Sequence, residues 1–348
     1  MRLQLGYVPL TDAAPVVAAA ELGFGREEGL DLELSQEPSW ATLRDRLALG
    51  HLDAAHMLAP LALASALGLS GPRADLVVPL GLSLNGNAIT LSTDLWAAMA
   101  PEADDVPTAA RAFARVAGER AAAGRPLTLG TVHPYSCHTY QLRLFAQAGG
   151  LDLRRSARLV VVPPPLTVDA LRRGTIDGFC VGAPWNSIAV AAGLGRIAAL
   201  GCEIVPDCPE KVLAVPSGGG EYGPALVRAI RRAGAWCADP GNRGDLGRLL
   251  VERAGLGPDA ALVARTLAGD VGAAAGETRA NPDYVRFDAA VQRPRSEHVA
   301  WLLAQMRASG QLGGGHEDGD EDAPREPDGA GLAAAAAAIY RPDLFDAA

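Results

Sequence analysis

Ser35-Gln36-Glu37-Pro38-Ser39-Trp40-Ala41-Thr42-Leu43-Arg44-Asp45-Arg46-Leu47, continued by His51-Leu52-Asp53-Ala54-Ala55-His56-Met57-Leu58-Ala59-Pro60, is the stretch around which the chain is organised. It predicts a strand over residues 31–34, a loop, a helix capped by Ser39, and a short second strand over 54–57. The Ser39 hydroxyl suits an N-cap because it can accept one of the orphan N–H groups of the first helical turn. Trp40 then sits at the helix start, on the loop side of the sheet. In open α/β sheets, ligands bind there, at the carboxyl ends of strands and beside helix N-termini. A large flat ring at that place is either packing or one wall of a small-molecule site.

Outward from this stretch the pattern is strand and helix in alternation, which predicts parallel sheet. Residues 3–8 read as a buried strand. Asp12 is a candidate cap, with Pro15 in the following first turn. Residues 76–84 and 88–92 read as strands joined by a tight turn at Asn85-Gly86-Asn87. A similar series follows a helix at 107–123: strands at 127–132, 158–162 and 178–182, a helix at 137–148, and a last strand near Glu203-Ile204-Val205. His51-Leu52-Asp53-Ala54 in the first series matches Gly174-Thr175-Ile176-Asp177-Gly178 in the second. Two α/β lobes are expected: residues 1–92 plus 208–348, and residues 93–207. Residues 211–215 form a strand that returns to the first lobe. Beyond Glu221 the chain reads as mostly helical, with a mobile acidic linker at 313–330. A cleft between two such lobes is the default ligand site.

At 348 residues the chain is long enough for two cores, and 49% hydrophobic and 20% charged residues are ordinary for a globular protein. The net charge of −9 is concentrated in residues 316–328, which hold seven acids and one arginine. The body is close to neutral and would not repel a small anion. It shows no basic face of the kind that direct nucleic-acid binding needs. No run reaches membrane-spanning length, so membrane insertion is not expected. The chain opens on Met1-Arg2-Leu3 straight into a strand, without a signal-peptide pattern, which gives a cytoplasmic expectation. Five cysteines without repeating spacing read as reduced thiols, and no zinc ligand set is spelled out.

Lys211 is the only lysine among the residues of the chain. Drift towards arginine explains a lone survivor. So does a position that needs a compact, strongly hydrated ammonium, which a planar guanidinium cannot imitate.

Several motifs in order support a resemblance. They are Glu37-Pro38-Ser39-Trp40-Ala41, Asp53-Ala54-Ala55-His56-Met57-Leu58-Ala59-Pro60, Leu84-Asn85-Gly86-Asn87, Cys180-Val181-Gly182-Ala183-Pro184-Trp185-Asn186, Pro209-Glu210-Lys211-Val212 and Tyr340-Arg341-Pro342-Asp343-Leu344. Together they resemble the NrtA/CmpA-like nitrate- and bicarbonate-binding proteins of ABC importers, and equally the cytoplasmic NasS-type nitrate/nitrite sensors. The resemblance implies an α/β, two-lobed type II periplasmic-binding-protein fold closing on a small oxyanion. It implies a ligand pocket of Trp40, Asn87, His138 and Lys211. His56 and Trp185 lie in the same motifs with lower weight, and Ser136, at the helix start beside His138, is a further candidate of lower weight. Asn87 stands where such importers often have glutamine. No cofactor, metal site or catalytic residue is implied.

Elementary chemistry points the same way. Nitrate is small, flat and monovalent, with weakly basic oxygens, so it needs several donors and one nearby cation to offset its lost hydration. The helix start at Ser136-Cys137-His138 offers free N–H groups and a partial positive charge. A lysine-based pocket favours nitrate or nitrite, whereas a carboxylate-rich pocket is the expectation for bicarbonate. Three functions remain in order. The first is a cytoplasmic sensor that holds an ANTAR-type RNA-binding antiterminator and releases it on binding anion. The second is the binding subunit of an importer. The third, an enzyme on the same fold, lacks a nucleophile–base–orienter set in the sequence.

Overall fold

The computed structural model describes residues 1–218, 222–312 and 329–348. Its first sheet joins β1 (Arg2–Tyr7), β2 (Asp31–Gln36), β3 (Ala54–Leu58), β4 (Leu76–Asn85) and, from far along the chain, β10 (Pro209–Pro216). Its second sheet joins β5 (Asn87–Ser92), β6 (Leu127–Thr131), β7 (Ala157–Val161), β8 (Gly178–Gly182) and β9 (Gly195–Leu200). The orders are β4-β10-β3-β1-β2, with a sixth short strand (Val285–Arg286) outside β4, and β7-β6-β8-β5-β9. In both, three strands are parallel, β1, β2 and β3 in the first and β6, β7 and β8 in the second, and an antiparallel strand crosses in next to the last of the three. The crossing strand is β10 in the first sheet and β5 in the second.

The repeated aspartates explain why the two series resemble each other. Gln4 N donates to Asp53 Oδ2 at 2.7 Å, and Asp53 N donates to Gln4 O at 2.9 Å. In the second lobe Thr128 N donates to Asp177 Oδ2 at 2.7 Å, and Asp177 N donates to Thr128 O at 2.7 Å. Each aspartate thereby fixes where the third strand starts against the first, and so sets the register of its sheet.

The boundary between lobes differs from the expected one. Residues 87–92 pair with β8 and β9, so the first crossing lies at Gly86 and not at residue 92. Asn85-Gly86-Asn87 is therefore no hairpin turn. Both Asn85 (φ 62°) and Gly86 (φ 96°) take left-handed backbone, as the motif suggested, but they send the chain from one sheet into the other. Asn85 also ties the two crossings together. Its N–H donates to Cys208 O at 2.9 Å, and its Oδ1 accepts from Cys208 N at 2.8 Å. Residues 203–205 are not a strand either. Gly201–Ile204 is a helical turn whose Glu203 carboxylate accepts from Leu200 N at 2.8 Å, and the last strand of the lobe is β9.

Helices cover both sheets. Gly223–Ala238 buries Leu226, Val227, Ile230, Ala233 and Cys237, a stripe at helical spacing that packs on the first core. The long helical tail is interrupted by an antiparallel hairpin, β11 (Asp270–Ala274) with β12 (Glu277–Ala280), and by β13 (Val285–Arg286) at the edge of β4. These short strands carry no clear alternation and were not expected. Most of the expected acidic linker, residues 313–328, lies outside the described residues. Among the described residues, no helix is long and apolar enough to cross a membrane. All five cysteines are free and buried.

Contacts between lobes hold the molecule closed. Trp185 Nε1 donates to Pro9 O at 3.0 Å, and Thr11 N donates to Ala183 O at 2.8 Å. Tyr140 donates its hydroxyl to Gln311 Oε1 at 2.8 Å, and Gln311 Nε2 donates to Pro134 O at 2.9 Å.

Candidate functional site

Ser39 caps its helix as the sequence implies, accepting from Thr42 N at 3.1 Å. The cap delivers Trp40 into the interior, where it is fully buried. Its ring faces two side chains. The Lys211 Nζ lies 5.5 Å from the ring centroid, and the His56 ring is 5.4 Å away with a 50° tilt. A cation over an indole face is attracted by the ring quadrupole.

Lys211 is the centre of the cluster. Its ammonium is 2.7 Å from Asp12 Oδ2 and 2.9 Å from Glu210 Oε1. Asp12 also meets His56, Oδ1 to Nε2, at 2.9 Å. Glu210 Oε2 accepts from Asn87 Nδ2 at 2.8 Å, and the same amide donates to Gln141 Oε1 at 3.1 Å. His138 Nδ1 comes within 3.5 Å of Glu210 Oε1 without hydrogen-bond alignment. Every one of these side chains is at most 1% exposed. The cluster draws on the β1–helix loop, β3, β5, β10 and the Cys137–Ala148 helix, and so sits on the seam between lobes.

Burial sets the charges. Desolvation opposes ionisation of Asp12, but Lys211 and His56 outweigh it and hold its carboxyl at about 2. Glu210 is pushed up by burial, and Lys211 offsets this only in part because Asp12 already shares that ammonium. Lys211 itself is desolvated, yet two carboxylates keep it firmly protonated. His56 and His138 are both pushed down by burial, His138 further by the Lys211 charge, and so are neutral imidazoles at physiological pH. Within this cluster, and among the described residues, three donors have no acceptor, namely Trp40 Nε1, Gln141 Nε2 and one ring N–H of His138, while Asn87 Oδ1 and His56 Nδ1 are likewise unpartnered. Buried unpaired donors are costly, and three of them in one cluster with an ammonium could each serve an acceptor.

The structure thus brings Trp40, His56, Asn87, His138 and Lys211 into one connected cluster. It assigns the remaining two sequence candidates elsewhere. The Ser136 hydroxyl caps its helix, accepting from Thr139 N at 3.2 Å, and donates to His133 O at 2.6 Å. Trp185 serves as an interlobe latch through Pro9. Asn87 is corrected in role, since both donations of its amide go to Glu210 and Gln141.

Three residues were missed. Asp12 was read as a cap, but its turn has no side-chain cap bond and its carboxylate goes to Lys211 and His56. Gln141 lies three residues after His138, on the same helix face, a spacing that could have found it. Glu210 adjoins Lys211, and neighbours on a strand normally point to opposite faces. Here the β10–β4 register shifts on both sides of Lys211, and this bulge turns both side chains into the site. The pocket is accordingly not served by Lys211 and His138 alone; it carries two carboxylates.

Cys137, Cys208 and Glu210 bring one ligand atom each within 4.8 Å. Both Glu210 oxygens are engaged, however, and a metal cation there would lie beside the Lys211 ammonium. Burial pushes the Cys137 thiol up, and Cys208 and Glu210 add to it. The trio is a pair of packed thiols against a salt-bridged carboxylate.

Two α/β lobes closed over a charged, enclosed site at their seam define the class, a periplasmic-binding-protein-like fold. The family model described as the NMT1-like family matches residues 1–251, and the chain belongs to that family. It is 32% identical over 315 residues to the nitrate/nitrite binding protein NrtA of Synechococcus elongatus, covering 86% of this chain and 70% of that one. It is 34% identical over 321 residues to the bicarbonate transport ATP-binding protein CmpC of the same organism, covering 90% of this chain and 46% of CmpC. The chain spans less than half the length of the ATP-binding relatives it matches. The crystal structure of the periplasmic nitrate-binding protein NrtA from Synechocystis PCC 6803 superposes with a TM-score of 0.87 at 24% identity, over 99% of this chain and 87% of that one.

Proposed function

We propose that this protein binds nitrate or nitrite between its lobes and acts as a cytoplasmic sensor, releasing an ANTAR-type antiterminator of nitrate-assimilation genes when the anion closes the cleft. The observation that carries the ligand reading is the set of three unpartnered buried donors grouped with the Lys211 ammonium. A planar oxyanion offers three acceptor oxygens, one for each of those donors. The names of NrtA and its relatives support the same ligand class. Because the site is fully enclosed, the anion enters an open form and favours the closed one only by the difference in its affinity for the two. Binding is the chemistry this reading takes: burial pushes the Cys137 thiol up, and the His56–Asp12 pair faces Lys211.

The sensor role rests on the motif resemblance. The importer relatives favour a second role, delivery of the anion to a membrane permease, and CmpC together with the two buried carboxylates favours bicarbonate as a second ligand. Calorimetric titration with nitrate, nitrite, bicarbonate and sulfate tests the ligand. Saturable heat with nitrate or nitrite is expected, and binding of bicarbonate alone would overturn the assignment. Capture of the antiterminator by the anion-free protein, lost at saturating nitrate, tests the role. Retention at saturating nitrate and nitrite would remove the release mechanism.

A further inference from the structure

We infer that Glu210 is a proton-coupled specificity residue: a fully ionised oxyanion such as nitrate enters this site together with one proton, which Glu210 takes up. The inference rests on the anion-binding reading above and goes beyond it. It starts from counting charges in a sealed space. One ammonium stands between two carboxylates at 2.7 and 2.9 Å, and all three groups are at most 1% exposed. Lys211 is thus already neutralised by Asp12 alone. Adding a monoanion beside an ionised Glu210 would leave two uncompensated negative charges out of water, which is strongly disfavoured. A proton on one group removes one of them.

The surroundings single out Glu210. Asp12 has the closer ammonium contact and a second partner in His56 at 2.9 Å, so it stays ionised. Glu210 has the longer ammonium contact and a neutral amide, Asn87 Nδ2, at 2.8 Å. From the Cys137–Ala148 helix it faces His138 at 3.5 Å and the Cys137 thiol; from its own strand's approach it faces the Cys208 thiol, and from β8 Cys180. A thiol can carry only negative charge, so none of these three can hold Glu210 ionised, and burial pushes Cys137 and Cys180 well up. Burial likewise raises Glu210 even before an anion arrives. Once protonated, its O–H becomes a further donor, able to serve an oxygen of the ligand in place of repelling it. An oxyanion that carries its own hydroxyl could donate it to Glu210, whereas nitrate has no proton to offer, so for nitrate the proton must come from solvent.

Nitrate does not titrate in the accessible range, so any pH dependence of its binding belongs to the protein. The test is calorimetric titration of the full chain with nitrate from about pH 6 to about pH 9, in two buffers of different ionisation enthalpy. Wild type is expected to take up close to one proton at the alkaline end, with affinity falling towards about tenfold per pH unit there. Glu210→Gln, isosteric and permanently neutral, is expected to bind nitrate with a flat profile and no proton uptake. Binding by wild type with neither uptake nor pH dependence overturns the inference while leaving the anion reading intact. Uptake that persists in Glu210→Gln overturns the assignment to Glu210 and moves the proton to His138. Absence of nitrate heat in wild type at every pH instead defeats the anion reading itself. The wild-type uptake measurement stands even if Glu210→Gln fails to fold.

Discussion

Replacing Lys211 by methionine keeps the volume of the side chain and deletes its charge. Two carboxylates lose their common partner, at 2.7 and 2.9 Å, in a site with no solvent access. Breaking a buried ion pair from one side costs about 3–5 kcal/mol, because the abandoned charge stays buried. Part of that cost is escaped here, since Glu210 can take a proton and Asp12 keeps its His56 contact. A net loss of about 2–4 kcal/mol in stability follows, a fall on the order of 3–5 °C in Tm for a chain of this size. The same substitution removes the cation from the anion site. A charge-assisted hydrogen bond contributes roughly 1.5–3 kcal/mol, so nitrate affinity should fall about 10- to 150-fold. Thermal unfolding and calorimetric titration read the two effects. Lys211→Arg serves as the companion, since it restores charge but not the compact ammonium and should recover Tm more than affinity. Unchanged affinity in Lys211→Met would refute the assignment of the chain's sole lysine to the ligand, and an unchanged Tm would refute the buried-pair argument.

Three further outcomes follow from the same geometry. Asp12 is held at about 2 against an ordinary value of 3.8, which corresponds to about 2 kcal/mol of stability, present above about pH 4 and lost as pH falls towards 2. The stability gap between wild type and Asp12→Asn should therefore shrink by about that much between pH 5 and pH 2 in denaturant titrations, and a constant gap would contradict it. In Gly201→Ala the added methyl would stand 2.8 Å from Gln141 Nε2 and 3.0 Å from Asn87 O. The flexible Gln141 amide must move, so nitrate affinity should drop about tenfold with a small change in Tm, corresponding to one lost hydrogen bond. Trp185→Phe deletes the 3.0 Å donation to Pro9 O across the seam and should weaken nitrate binding about fivefold by making closure less favourable, without touching the ligand. Equal affinity in that variant would show that the latch does not report on closure.

Local chemistry determined much of this protein by itself. Ser39 and Ser136 are caps because a short hydroxyl can reach the orphan N–H groups of a first turn, and that is settled within four residues. The matching aspartates 53 and 177 were visible because each lobe must register its own sheet. The motifs carrying Trp40, His56 and Lys211 were legible as a set, and Lys211 stood out by composition. Tertiary structure alone decided the rest. Asn85-Gly86 demands left-handed backbone in any context, but whether the chain then forms a hairpin or crosses into a second sheet depends on which strand edge is available. Glu210 enters the site only because β10 bulges, and bulges arise from pairing with β3 and β4, which are over a hundred residues away in sequence. Asp12 could cap a helix or bind an ammonium, and the choice belongs to a lysine brought to within 2.7 Å of it by the fold. The sequence therefore determined that an ammonium and a flat ring would meet in a cleft. The tertiary structure decided that two carboxylates would share that ammonium, because charge balance is a property of what is buried together and not of what is adjacent in the chain.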